Sequence, residues 1–291
     1  MARIPESELI LSPDGTVYHL RLRPENLAST VITVGDPQRV SEVSRYFDQV
    51  DFKTAHREFT THTGRIGKKP ISVISTGIGT DNIDIVLNEL DALVNIDLDL
   101  RLVKEQHTKL QIFRLGTCGG LQEDLSPGTL VKTSFGLGLD SLLHFYLYEN
   151  TPEEKEILDH FIQFTGIRSP AAAPYITGVS AWLDAKFTQG FHSGITLTSP
   201  GFYAPQGRSL RGQLAFPYLL GKLPAFLYGN LRIVNFEMET SGIYGLGRVL
   251  GHDCLSVSTV VANRITRQFS ADIAGDTDKM IRHCLEIIVN C

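Results

Sequence analysis

The sequence predicts an α/β layer architecture built on a mixed sheet. Two observations carry the prediction. Short β-branched runs alternate along the chain with stretches whose apolar residues recur at helical spacing. Near residues 50–76 several strand-like runs follow one another with no helix between them, which a purely parallel sheet does not allow.

The run STVITVG at 29–35 reads as a buried strand ending in glycine, and Pro37 opens a helix through about residue 47. ISVIST at 71–76 repeats the pattern and runs into Gly77-Ile78-Gly79. A helix follows over 81–93, with Asp81 as its predicted N-cap. Further strands are expected at 110–115, 128–134, 194–199 and 254–262, and further helices at 153–164, 239–249 and 276–289. Three strand ends carry glycine, at Gly35, Gly77/Gly79 and Gly116/Gly119/Gly120. In open α/β sheets ligands sit outside the carboxyl ends of strands, and glycine lets backbone N–H groups approach an anion. The three loops are therefore candidates to converge on one site.

The 291 residues carry a formal net charge of -5, with 42% hydrophobic and 20% charged residues. That is the balance of an average globular protein, long enough to bury a core without staples. No dense Lys/Arg run offers a nucleic-acid surface. No stretch approaches the ~20 apolar residues of a membrane span, and the first ten residues lack the apolar core of a signal peptide. Cys118, Cys254, Cys284 and Cys291 form no Cys-x-x-Cys pair and no zinc-type cluster, so reduced thiols in a cytoplasmic protein are expected and no metal site.

Several segments carry chemistry-bearing residues. In Gly35-Asp36-Pro37-Gln38-Arg39 a strand ends, a helix begins and an Arg lies in its first turn, a geometry that suits an anion but also suits a plain strand-to-helix turn. Arg114 stands in an otherwise apolar strand before Gly116-Thr117, so it needs either an acidic partner or a ligand anion. In Phe202-Tyr203-Ala204-Pro205-Gln206-Gly207-Arg208, Gln206 and Arg208 offer donors and an acceptor for the edge of a heterocycle, with Phe202 for its face; a surface loop is the plain alternative. Glu237-Met238-Glu239 offers carboxylates to sugar hydroxyls, or simply begins a helix. Asn263-Arg264 ends the last strand. Arg57, in HREFTT, and His19, in VYHLRLRP, are unremarkable when taken alone.

Taken in order, VGDPQRV, HREFTTHTG, STGIGT, RLGTCGG, FYAPQGR, NFEMET and VVANR resemble the motifs of the uridine phosphorylases of the nucleoside phosphorylase superfamily, over nearly the whole chain from about Tyr18 to Arg264. The resemblance implies a single domain over 1–291 with a three-layer α/β/α sandwich and a mixed central β-sheet. It implies phosphorolysis of a pyrimidine ribonucleoside, in pyrimidine salvage and catabolism, with inorganic phosphate as co-substrate and no cofactor. It places phosphate on Gly35, Arg39, Arg114 and Thr117, with Arg57 supplied by a neighbouring subunit. It places the ribose on Glu237, Met238 and Glu239 with the neighbour's His19, and the base on Phe202, Gln206 and Arg208, with Arg264 supporting that loop. Arg208, Gln206 and Arg114 would do most for catalysis. Shared sites imply a homodimer at least, and family members also form hexamers of dimers. Some members hold a monovalent cation at the dimer interface through residues matching Glu58 and Asn82, where Asn82 replaces a Ser; such a site is compatible with the sequence but not predicted by it. Pro205 departs from the family's base loop and leaves the choice among uridine, deoxyuridine and thymidine open.

Rival readings meet specific obstacles. A purine nucleoside phosphorylase of the same fold would carry an Asp after the last core strand, where this chain has Asn263-Arg264. A water-using nucleosidase has no use for the phosphate-facing arginines. A dinucleotide-binding oxidoreductase would continue Gly77-Ile78-Gly79 to a third glycine where Asn82 stands. A non-catalytic nucleoside binder would not need both the phosphate arginines and the base-reading pair.

Overall fold

The computed structural model describes residues 3–167 and 173–291. The chain opens with β1 (Thr30–Val34) and α1 (Pro37–Ser44), then the consecutive strands β2 (Gln49–His56), β3 (Phe59–Ile66) and β4 (Lys69–Ser75). Helix α2 (Thr80–Asn95), the short pair β5 (Ile96–Asp97) and β6 (Leu102–Val103), β7 (Gln111–Gly120), β8 (Leu130–Gly138) and α3 (Pro152–Thr165) follow. Next come β9 (Tyr175–Gly178), α4 (Ala181–Asp184), β10 (His192–Thr198), α5 (Leu219–Lys222), β11 (Leu227–Tyr228) and β12 (Leu231–Glu237). The chain ends with α6 (Thr240–Leu250), β13 (Asp253–Asn263), β14 (Gln268–Phe269) and α7 (Ile273–Ile288).

Twelve of these strands form one mixed sheet in the order β11-β12-β10-β8-β13-β7-β1-β4-β3-β2, with β9 and β14 attached to β8 and β13. β1 runs parallel to β4 and β7, and β13 runs parallel to β7, so their carboxyl ends lie along one edge. The run without helices is the antiparallel β2-β3-β4 meander, as the sequence predicts. β12 also pairs antiparallel with β7, at Asn235↔Gly120 and Phe236↔Gly119, so β7, β13, β8, β10 and β12 close into a ring. This closure has no local sequence signal.

Alternation along β1 explains the layers. Val31 joins the apolar cluster of α2 and α6, whereas Ile32 and Val34 join that of α1, α4 and α7 on the opposite face. Both faces are covered by helices, which is why all five residues of β1 are buried and the strand reads as a continuous apolar run. Each such Ile or Val is worth about 2 kcal/mol relative to exposure. A third cluster packs Ile157 and Phe161 of α3 against Leu137, Ile176, Leu197 and Ile233 of the sheet.

Three local expectations are corrected. Asp81 is not the N-cap of α2: Gly79 holds that position at φ 95°, a value that favours glycine, and Asp81 lies in the first turn, where a carboxylate still suits the helix dipole. Helix α1 stops at Ser44 instead of near residue 47. The glycines 116, 119 and 120 are not a strand-end loop but the second half of β7, held extended by β13 on one side and β12 on the other. Among the described residues no helix is long and apolar enough to cross a membrane.

Candidate active site

A cavity of about 700 Å³ opens at the carboxyl edge of the sheet. It is lined by residues from seven stretches of the chain, at 35–39, 58, 77–82, 114–119, 202–208, 236–239 and 261–269.

β1 stops at Val34, and Asp36 caps α1 by accepting from the Gln38 N–H at 2.8 Å. The cap fixes the first turn, which carries Arg39 into the cavity beside Gly35. Burial lowers the Arg39 pKa, with Glu42 and Asp36 compensating only in part, and its Nε finds no hydrogen-bond partner. A desolvated guanidinium with an unused donor is arranged for an anion. Arg114 and Thr117 line the same cavity from β7.

Arg114 resolves the question its sequence position raises, because it has acidic partners and also faces the cavity. Its Nη2 lies 2.5 Å from Glu239 Oε2 and 3.1 Å from Glu237 Oε2, and Nη1 donates to Ser258 Oγ at 3.0 Å. Burial opposes its charge, but the two carboxylates outweigh that and its pKa is raised. Gly116 is required here: a Cβ at that position would fall 2.0 Å from Arg114 Nη1.

The carboxylates are themselves fixed. Glu237, at the end of β12, accepts from Thr198 Oγ1 at 2.5 Å and from the N–H groups of Glu239 and Thr240 at 2.9 and 2.8 Å, so it closes the start of α6. Glu239 accepts the Gly79 N–H at 2.8 Å, which ties the glycine turn before α2 to the Arg114 pair. Burial first, and Glu237 as a like charge, raise the Glu239 pKa. Met238 lines the cavity between them.

Phe202, Gln206, Arg208, Val261, Ala262 and Phe269 also line the cavity. Gln206 is buried, and Arg208 donates from Nη1 to Gln206 Oε1 and to the Phe202 carbonyl, both at 2.6 Å. The Arg208 guanidinium lies over the Phe202 ring, 3.8 Å from its centroid. Burial, and then the nearby charge of Arg264, bring the Arg208 pKa down to about 10. Arg264 does not line the cavity; it donates to the Gln206 carbonyl at 3.1 Å and so braces the loop from behind. Among the described residues no carboxylate pairs with Arg208. Asn263, where a purine-cleaving relative would place an acid, is buried and spends its side chain on the backbone of Gln122, Leu125, Ile265 and Thr266.

His19 and Arg57 are not brought to this cavity. They cluster around Tyr18: the Arg57 guanidinium lies 5.9 Å from the Tyr18 ring, and the Tyr18 and His19 rings meet edge to face at 4.9 Å. His19 Nδ1 is 2.6 Å from Glu89 Oε1. Arg57 heads the two-residue turn between β2 and β3 at φ 55°, a conformation that costs a non-glycine residue energy and tends to mark function. Its turn neighbour Glu58 lines the cavity, as does Asn82. Among the described residues no group of three His, Cys, Asp or Glu side chains could hold a metal ion.

Sequence reasoning missed Val261, Ala262, Phe236 and Phe269. Val261 and Ala262 directly precede Asn263-Arg264, a signal that was available. Phe269 enters only because β14 folds back on β13, with Ala262↔Phe269 in register. Cys118 is also in the cavity wall, but burial pushes its thiol up to about 12, so it is not a nucleophile at neutral pH.

The chain has relatives among known proteins over nearly its whole length. The family model for the phosphorylase superfamily matches residues 29–289. The chain is 31% identical over 264 residues to the uridine phosphorylase of Thermococcus kodakarensis, covering 88% of this chain and 80% of that one. It is 28% identical to the uridine phosphorylase of Haemophilus influenzae, covering 87% and 88% of the two chains. A crystal structure of a Trypanosoma brucei nucleoside phosphorylase, described as showing uridine phosphorylase activity, superposes with a TM-score of 0.89 at 30% identity and covers 97% of this chain and 100% of that one.

Proposed function

The chain belongs to the phosphorylase superfamily, and on that premise we infer that it is a uridine phosphorylase, a pentosyltransferase that converts uridine and phosphate to uracil and ribose 1-phosphate. The observation that carries this is the set of groups that line one cavity: Arg39, Arg114 and Thr117, the Glu237-Met238-Glu239 segment, and Gln206 with Arg208.

The chemistry follows from that set of groups. As the C1′–N1 bond stretches, the sugar gains oxocarbenium character. Phosphate held by Gly35, Arg39, Arg114 and Thr117 approaches C1′ from the opposite side, and its negative charge stabilises the sugar cation. The departing pyrimidine gathers charge on its ring oxygens, where Arg208 and the Gln206 amide donate. The absence of a carboxylate beside Arg208 among the described residues suits a base that leaves as a hydrogen-bonded anion, not one that must be protonated on a purine ring nitrogen. Glu237 and Glu239 accept from the ribose hydroxyls. Phosphate is the co-substrate, and the reading requires no organic cofactor.

We read the assembly as at least a dimer, in which His19 and Arg57 of one chain complete the partner's site. Their separation from their own cavity supports this, as does the strained φ of Arg57. The four unpaired cysteines support placement in the cytoplasm, and the reaction serves pyrimidine salvage.

The test is release of free base from uridine, thymidine and inosine with and without phosphate. Uracil should appear from uridine only when phosphate is present, and hypoxanthine from inosine at least a hundredfold more slowly, on the order of the loss of one well-placed transition-state contact. Equal cleavage in water alone would overturn the reading.

A further inference from the structure

The loop from Phe202 to Arg208 fixes its functional groups by contacts within itself. The Arg208 side chain meets Phe202 twice: the guanidinium covers the ring at 3.8 Å from its centroid, and Nη1 donates to the Phe202 carbonyl at 2.6 Å. The same Nη1 donates to Gln206 Oε1 at 2.6 Å, so both hydrogen bonds to the protein leave from one nitrogen, and the remaining edge of the fork is free to face a ligand. Arg264, bound to the Gln206 carbonyl at 3.1 Å, puts a second positive charge beside Arg208. Two guanidinium groups repel, and among the described residues no carboxylate pairs with Arg208 to hold it in place. The ring face, negative by its quadrupole, is the group that opposes its escape to solvent. The ring is also half exposed, so one of its faces is taken by Arg208 before any base arrives.

We propose that Phe202 is a positioning residue for the reaction: its ring face and carbonyl hold the Arg208 guanidinium at the departing base. The proposal rests on the functional reading above, because it assigns Arg208 to the leaving group. It makes Phe202 and Arg208 one unit, so their effects on turnover cannot add.

The experiment is a double-mutant cycle. Phe202→Leu, Phe202→Tyr, Arg208→Ala and the Phe202→Leu/Arg208→Ala pair are assayed with uridine at saturating phosphate, and uridine binding by the same proteins is measured by calorimetry. Phe202→Leu should lower kcat/KM roughly tenfold, the span of a half-desolvated cation–π contact, with most of the loss in kcat. Phe202→Tyr, which keeps the face, should stay within about twofold. In the Arg208→Ala background, Phe202→Leu should change both kcat/KM and uridine affinity less than about twofold. The same loss in both backgrounds, or no loss in the wild type, overturns the proposal; the first result would make Phe202 a base-stacking residue. A wild-type protein that binds uridine without phosphate-dependent turnover would overturn the functional reading instead, and the binding cycle would still decide the coupling. If Phe202→Leu loses its cooperative melt, Phe202→Met replaces it, keeping apolar volume without a ring.

Discussion

Arg39 has a side chain 15% exposed, an Nε without a hydrogen-bond partner, and a carboxylate, Glu42, no nearer than 3.9 Å. In the ligand-free protein it is a poorly compensated charge, and the effect of replacing it should therefore split. Arg39→Met is expected to leave the ligand-free protein as stable as the wild type or more stable by about 1 kcal/mol, since an apolar side chain of similar length removes the desolvation cost. Phosphate should raise the melting temperature of the wild type in proportion to the logarithm of its concentration above Kd, and this rise should be absent in Arg39→Met. Calorimetric melts across a phosphate titration check both halves. An unchanged phosphate-induced shift would remove Arg39 from the anion site. At this scale the sequence was most informative about side chains set by short-range geometry. The Asp36 cap, Pro37 and Arg39 lie within four residues, so the turn that aims Arg39 is local. The two carboxylates that hold Arg114 arrive from more than a hundred positions away, and nothing near Arg114 distinguishes a paired arginine from a ligand-binding one.

Among the elements, α3, β9 and α6 are joined through one carboxylate outside the site. Glu154 closes a capping box with Thr151, accepts the Gly178 N–H at 2.6 Å and pairs with both terminal nitrogens of Arg248 at 2.6 and 2.8 Å. Burial pushes its carboxyl up, but Arg248 and the N–H groups of Thr151 and Gly178 outweigh this and leave its pKa below the ordinary 4.5. A carboxyl depressed by folding adds stability above its unfolded pKa and loses it as pH falls through the folded value. Glu154→Gln is therefore expected to cost about 2 kcal/mol at pH 7, allowing for the partial exposure of Arg248, and progressively less as pH drops below about 4.5. Denaturant melts of both proteins between pH 7 and pH 3 would show converging curves; a gap that stayed constant would assign the loss to packing instead of charge. Element by element, legibility in the sequence followed the range of the pairing. The β-branched run of β1 and the helix of α3 could be read because each is local. The glycines of β7 look like a turn because extended structure there is imposed by β12 and β13, and Phe269 is unreadable as a site residue because only the β13–β14 pairing brings it to the cavity.

Over the whole molecule, each chain offers groups to two places. Its own cavity takes Arg39, Arg114, Gln206 and Arg208, while His19 and Arg57 gather elsewhere around Tyr18. Helix α2 links that second place to a surface with apolar exposure: Glu89 holds His19, and Asp84 and Asn88 hold the Tyr146 hydroxyl between the fully accessible Leu147 and the largely exposed Phe145. A second copy related by a two-fold axis would cover such side chains and would exchange the two sets of groups reciprocally. Reciprocal exchange makes a quantitative prediction. Arg57→Gly should remove the group given to the partner while relieving the positive φ at the head of the β2–β3 turn, so the variant should melt no lower than the wild type. Arg208→Ala should disable only the site in its own chain. Each variant alone should retain on the order of 1% of turnover or less. When the two are co-expressed in equal amounts, half the dimers are mixed, and each mixed dimer holds one site free of both changes. Activity should then return to about a quarter of the wild-type value. Turnover of the mixture, with sedimentation of each protein to fix its mass, decides the matter, because a mixture no more active than its components would mean that each chain builds its site alone.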